Sequence, residues 1–188
     1  MSGLALELRE KRDRLGLKGP RAAEWLAAQG IDLPMTPNTW THSEDALAPD
    51  ALLVARLGAA EFFLEDGSVG TTLKRISPAL DENPPGVYPV LREDWAFHLG
   101  GEAVHDVLAQ VCNVNFAALS LASRPLIMTL MIGVAVLVVP QSVPGGGQGE
   151  ATTRHYRIWC DPTFGPYLGE SLGAVVIECG GRYTGVSG

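Results

Sequence analysis

The sequence predicts an α+β protein built from two pseudo-symmetric halves, each running β-α-β-β-α-β. Three observations carry that expectation. First, Leu17-Lys18-Gly19-Pro20-Arg21-Ala22-Ala23-Glu24-Trp25-Leu26-Ala27-Ala28 returns as Leu99-Gly100-Gly101-Glu102-Ala103-Val104-His105-Asp106-Val107-Leu108-Ala109-Gln110. Each copy reads as a strand end, a glycine turn and a helix, and an internal repeat of this kind is read before anything else. Second, Glu61-Phe62-Phe63-Leu64-Glu65-Asp66 is echoed by Tyr156-Arg157-Ile158-Trp159-Cys160-Asp161, each leading toward a helix. Third, a chain of 188 residues that is 46% hydrophobic can build a real core, as one large domain or two small ones.

In the first half, a strand is expected near Arg14-Leu15-Gly16-Leu17. Pro20 suits the first helical position, where its missing N–H costs nothing. Ala22, Ala23, Leu26 and Ala27 then share a face, and Gly30 ends the helix. Pro34 to Pro49 reads as loop, with a short strand at Thr39-Trp40. Ala51 to Leu57 reads as a strand, and Gly58-Ala59-Ala60 as a tight turn into Glu61-Phe62-Phe63-Leu64. Asp66 or Ser68 can cap a short helix that stops by Pro78. A strand over Val87 to Leu91 closes the half.

The second half opens with a strand over Trp95 to Leu99. Ala103, Val104, Val107, Leu108, Val111 and Cys112 make one continuous apolar stripe, the clearest helix in the chain. The uncharged run from Pro125 to Pro140 is bounded by prolines and rich in valine. A membrane-spanning helix takes about 20 residues, so the run reads as a buried strand or bent strand pair, with Gly133 at the bend. Val143 to Gly149 is expected to be a flexible loop, and Arg154 to Cys160 a strand. Asp161-Pro162 starts a helix whose face holds Phe164, Tyr167, Leu168, Ser171 and Leu172. Ala174 to Glu178 is expected to close as a strand, followed by a loose glycine-rich tail. The boundaries are an N-terminal extension over 1–13, one double-repeat domain over 14–180 with halves at 14–92 and 93–180, and the tail over 181–188. Each half has the ferredoxin-like order of elements.

Net charge is −7 and no segment concentrates Lys or Arg, which argues against nucleic acid as a partner. Met1 to Arg14 is charged and lacks the apolar core of a signal peptide. Cys112, Cys160 and Cys179 are odd in number and widely spaced, so they make no disulfide scaffold or zinc site; Cys112 and Cys160 read as buried thiols, and the compartment as reducing and cytoplasmic. His42, His98, His105 and His155 show no metal-ligand spacing, and no serine lies in a nucleophile elbow. Gly145-Gly146-Gly147-Gln148-Gly149 lacks the lysine of a phosphate loop. Gly100-Gly101 precedes a helix, where an anion could bind, but Glu102 is expected to supply charge in that first turn. Trp25, Trp40, Trp95 and Trp159 read as core or interface residues, with Trp159 and Arg157 on the less buried face of their strand. No catalytic or metal residue is assigned, and no cofactor-binding residue.

The two Leu-x-Gly-x-x-(Ala/Val)-x-x-x-Leu patterns, Leu17 to Leu26 and Leu99 to Leu108, resemble the folate-binding superfamily that includes the T-protein of the glycine cleavage system. Within it, Val107 to Cys112, Met128 to Val138 and Tyr156 to Leu168 resemble the gamma subunit of heterotetrameric sarcosine oxidase. Val54-Ala55-Arg56-Leu57-Gly58-Ala59-Ala60-Glu61-Phe62-Phe63-Leu64 resembles the Arg-Leu-Gly-x-x-Glu-(Trp/Phe) segment of the same family. The resemblance runs from Arg14 to Val176. It implies the T-protein type of folate domain and a non-catalytic subunit of a flavin-dependent, tetrahydrofolate-linked amine demethylase. FAD, FMN and NAD are then expected on larger partner subunits, with tetrahydrofolate the one cofactor open to this chain. The Asn- and Asp-rich catalytic segment of the T-protein and the Lys-Gly-Cys signature of stand-alone folate proteins are both missing, and the Val143 to Gly149 loop is long. The alternatives are a stand-alone folate-binding, aminomethyltransferase-like protein and a homo-oligomeric α+β scaffold, the isolated chain being open to forming a homodimer. Phe116, Leu119 and Leu121 are the apolar surface a partner is expected to cover.

Overall fold

The structure is a computed structural model that describes residues 3–9, 12–42, 52–68, 70–143 and 153–185. It is mixed α+β and divides into two compact units, Arg12–Glu93, and Asp94–Gly188 together with Met1–Lys11.

The unit Arg12–Glu93 is built from β2 (Arg14–Lys18), α1 (Ala22–Ala28), β3 (Thr39–His42), β4 (Leu53–Gly58), β5 (Glu61–Glu65), α2 (Thr72–Asp81) and β6 (Tyr88–Val90). Its sheet runs β3-β4-β5-β2-β6, all antiparallel. Without the edge strand β3, this is the ferredoxin-like order expected from the sequence. Alternation sorts the strands: Leu17, Val54, Phe62 and Leu64 turn to one face and pack with Leu26 of α1 and Ile76 of α2. On the other face Arg14 and Glu65 lie opposite each other in register and form a buried ion pair. Helix α1 ends as expected. Gly30 has φ +76°, and the Gly30 and Ile31 N–H groups donate to Ala27 and Leu26, a Schellman motif. Asp66 accepts from Leu73 N at 2.9 Å and so caps α2. Pro78 does not stop that helix. It lies inside the last turns, which continue to Asp81, where few further N–H groups are needed.

The second unit contains β1 (Ala5–Leu8), β7 (Trp95–Gly100), α3 (Val104–Val111), β8 (Ile127–Met131), β9 (Val134–Val143), β10 (Thr153–Cys160), α4 (Gly165–Glu178) and β11 (Arg182–Thr184). Its sheet order is β11-β1-β7-β10-β9-β8. The first strand of the chain is therefore β1, not the one at Arg14. Leu4, Leu6 and Leu8 alternate with Ala5 and Glu7, which is strand periodicity, and β1 slots between β7 and β11. The apolar run from Pro125 is a strand pair: β8 and β9 are joined by Ile132 and Gly133, both at positive φ (+48° and +81°). That is the mirror-type turn that suits strand twist. No helix among the described residues is long and apolar enough to cross a membrane.

Four expectations for this unit are corrected. Ala174 to Glu178 is the end of α4, not a strand, and Arg182–Thr184, assigned to a loose tail, is the closing strand β11. The valines are held in a helix that ends in a second Schellman motif, Gly180 and Gly181 donating to Ile177 and Val176. The buried stripe of α4 is Gly165, Leu168, Gly169, Leu172, Gly173 and Val176, so Phe164 and Tyr167 are half exposed rather than packed. The three glycines four apart let the helix lie close over aromatic rings. A β-carbon on Gly169 would stand 2.8 Å from Tyr183 Oη, and one on Gly173 2.5 Å from Tyr183 Cδ1. Phe116, expected at the surface, is buried with its ring edge-on to Tyr156 at 5.3 Å, while Leu119 and Leu121 are half buried. The loop from Val143 to Gly149, with its glycine run, falls outside the described residues after Val143.

Candidate functional site

A polar cleft opens on the face of β1, β7, β10 and β11 that is turned away from α3 and α4. It encloses about 280 Å³ and is lined by Gly3, Ala5, Glu7, His98, Gly100, Gly101, His155 and Arg182. Register explains why these residues meet. Arg182 pairs with Ala5, Ala5 with Gly100, and Gly100 with His155, so one row across four strands has a small floor between two long polar side chains. In the next row Glu7 pairs with His98, and His98 with Arg157. Their neighbours Leu4, Leu6, Phe97, Leu99, Tyr156 and Ile158 turn the other way into the core.

Glu7 is held by Arg9 at 3.4 Å and by Arg182 at 4.0 Å, both with partly exposed side chains. His155 lies over Gly100 in the space a side chain there would fill. Burial lowers the His155 pKa, and the Glu7 carboxylate opposes that with a smaller push upward. The imidazole is therefore neutral at neutral pH and offers one donor and one acceptor. Two imidazoles, a carboxylate and a guanidinium can orient a small polar molecule. Among the described residues no Ser or Cys lines the cleft. No group of His, Cys, Asp and Glu among the described residues has the arrangement to hold a metal ion.

The histidines scatter. His98 and His155 come together, whereas His105, on the far side of the Gly100-Gly101 turn, points to the core and bonds Tyr156 Oη through Nε2 at 2.7 Å. His42 packs edge-on to Trp40 at 5.2 Å. Glu102 precedes α3, so the acidic residue in its first turn is Asp106. Trp159 is not on a less buried face: it is 1% exposed, and Arg157 Cζ stacks 5.0 Å from its ring centre. Trp25 and Trp95 are partly buried against separate cores. Cys112 and Cys160 are buried, and the Cys160 thiol is pushed up to about 11 by burial and by Asp94 and Asp161. Glu7 and Arg182 of the cleft escaped the sequence reading, although the Leu4-Leu6-Leu8 alternation marks the strand that carries Glu7.

Two α+β units make up the fold, one a ferredoxin-like sheet with an added edge strand and the other a six-stranded sheet with β1 inserted between β7 and β11, each packed with two helices. No protein-family model matches the chain, and no curated protein does. Among solved structures it is similar to a heterotetrameric sarcosine oxidase from Corynebacterium sp. U-96, in complex with pyrrole 2-carboxylate. The TM-score is 0.66 at 22% identity, over 96% of this chain and 87% of that one. It is also similar to the glycine cleavage system aminomethyltransferase T from Bartonella henselae, with a TM-score of 0.63 at 17% identity. That match covers 91% of this chain but only 45% of the aminomethyltransferase, so the chain spans less than half of that relative. At these identities the likeness is one of fold, and it agrees with the resemblance read from the repeated motifs.

Proposed function

We propose that this chain is a non-catalytic, gamma-type subunit of a flavin-dependent, tetrahydrofolate-linked amine demethylase of the sarcosine oxidase kind. The observation that carries the reading is the extent of the match: nearly all of this chain corresponds to nearly all of one chain from a heterotetrameric sarcosine oxidase. In this role FAD, FMN and NAD belong to larger partner subunits. The chain then works in the cytoplasm as a structural part of an oxidoreductase complex. The test is affinity purification of the tagged chain from its native host, with an absorbance spectrum and mass spectrometry of what co-purifies. A yellow complex with flavoprotein-sized partners is expected. A colourless chain that comes down alone overturns the proposal.

A second reading, a stand-alone folate-binding protein of one-carbon metabolism, draws on the likeness to aminomethyltransferase T. It requires tetrahydrofolate to bind the isolated chain, which calorimetry measures directly.

A further inference from the structure

The sheet of the second unit ends in an uncharged edge. β8 is its outermost strand, and among the described residues no strand pairs with its free side. Proteins normally blunt such edges with charge, proline, bulges or brevity. Two of the other three edges follow that rule: β6 has three residues and carries Pro89, and β11 has three residues and begins at exposed Arg182, while β3 is an uncharged strand of four residues. By contrast, Ile127-Met128-Thr129-Leu130-Met131 has no charge and no proline, and it pairs with β9 in unbroken register.

The backbone of β8 is also set to pair. Met131 and Val134 close a two-residue turn, so they exchange hydrogen bonds as a pair, and the pattern alternates from there. Ile127, Thr129 and Met131 therefore bond to β9, while the N–H and C=O groups of Met128 and Leu130 point away from the sheet. The same two residues carry the exposed apolar side chains of the strand, 54% and 59% accessible. They lie on the face opposite the helices, next to Leu137 and Ala135 of β9. Apolar surface continues round the hairpin tip to half-exposed Tyr167, whose hydroxyl donates to Ile132 O at 3.5 Å.

We propose that β8 is a self-association edge, along which two copies of the chain pair antiparallel with Met128 of each opposite Leu130 of the other. The occupant follows from charge and symmetry. A two-fold contact sets one patch against its own copy, so any charge in it meets like charge. A strand with none is complementary to itself. The register centred on Thr129 engages the outward groups of both Met128 and Leu130 within the strand, whereas a shift by two residues leaves one of them paired beyond it. A five-residue contact is smaller than a standard stable interface, so the dimer is expected to be reversible, with a dissociation constant on the order of micromolar. This inference does not rest on the oxidase reading, and either can fail without the other.

Sedimentation velocity of the full chain over a concentration series tests it. The wild-type chain is expected to move from monomer to dimer. The double variant Met128→Lys with Leu130→Lys changes two exposed side chains, so it should keep the wild-type circular dichroism and melting. It should weaken association by roughly tenfold or more. The variant Met128→Glu with Leu130→Glu should also be monomeric, and an equimolar mixture of the lysine and glutamate variants should dimerise. A wild-type chain that stays monomeric, a dimer indifferent to the lysines, or two variants that fail to pair with each other would each overturn the proposal.

Discussion

His155 fills the space above Gly100: a β-carbon added to Gly100 would overlap Nδ1, Cε1 and Cγ of the imidazole. The two residues are register partners on neighbouring strands, so neither can move away without breaking the pairing of β7 with β10. Gly100→Ala is therefore expected to cost about 1–3 kcal/mol of stability, the range for overpacking. Combining it with His155→Ala should recover most of that loss. Urea unfolding of the two single variants and the double variant measures the coupling, and simple additivity would show that the two residues do not compete for space.

The His105–Tyr156 hydrogen bond should make stability fall at mildly acidic pH. Burial, and then Arg154, hold the His105 pKa below its ordinary 6.5, while Asp106 opposes them. The unfolded chain thus binds this proton first. The stabilisation is complete above 6.5 and is lost as pH falls through the lowered folded value. Tyr156→Phe should cost about 1 kcal/mol by removing the bond. The acid loss from this site should disappear in His105→Gln, which cannot titrate, as followed by melting from pH 7.5 down to 4.5.

Asp66 works in the opposite sense. It is 1% exposed, its Oδ2 accepts from Leu73 N, and its Oδ1 has no hydrogen-bond partner among the described residues. Burial raises its pKa above 3.8 despite the backbone bonds from Leu73 and Thr72 that lower it. The folded chain therefore holds the proton more tightly than the unfolded one. That contribution is complete below 3.8 and fades as pH rises through the folded value. Asp66→Asn keeps an acceptor for Leu73 and removes a buried charge, so at pH 7 it should be neutral or stabilising, whereas Asp66→Ala should cost about 1 kcal/mol through the lost cap. Denaturant midpoints at pH 4 and pH 7 separate the two effects.

Gly165→Ala and Gly173→Ala should destabilise the protein even though alanine is the better helix former by about 1 kcal/mol. A methyl at Gly165 would overlap the Trp95 indole, and one at Gly173 would meet the Tyr183 ring. Overpacking exceeds the propensity gain, so a net loss of about 1–2 kcal/mol is expected. A rise in melting temperature would show that α4 can lift off these rings at little cost.

The three thiols should react in order of exposure and acidity. Cys179 is half buried, while Cys112 and Cys160 are buried and Cys160 is pushed up to about 11. At pH 7.5 an alkylating reagent is expected to modify Cys179 first and Cys160 only after unfolding, because the thiolate is the reactive form. Mass mapping of a time course reads this out, and early labelling of Cys160 would contradict it.

Much of the fold was legible because its signals are local. The α3 stripe from Val104 to Cys112 is complete in one short window. Bounding prolines and a run of valines separate the β8–β9 hairpin from a membrane span. The misses have physical causes. Ala174-Val175-Val176-Ile177 has strand-like side chains, but α4 is set by its glycine face and its Schellman end, and tertiary packing overrode propensity. β11 offers only Arg182-Tyr183-Thr184, too short for any periodicity. The cleft was hidden for a different reason. Glu7, His98, His155 and Arg182 come from four separate strands, and only the register of the sheet brings them together.

The position of β1 has a consequence for how the chain is made. Ala5 to Leu8 leave the ribosome before the unit Arg12–Glu93, yet their partners are Phe97 to Gly100 and Arg182 to Thr184. The unit Arg12–Glu93 emerges whole in between and can complete its own pairing while the earliest strand waits. The second unit can close its sheet only once β11 has been made, so its folding joins segments on either side of the other unit and needs contacts distant in sequence. Deleting the first nine residues should therefore leave the early-made unit intact and unravel the late-made one.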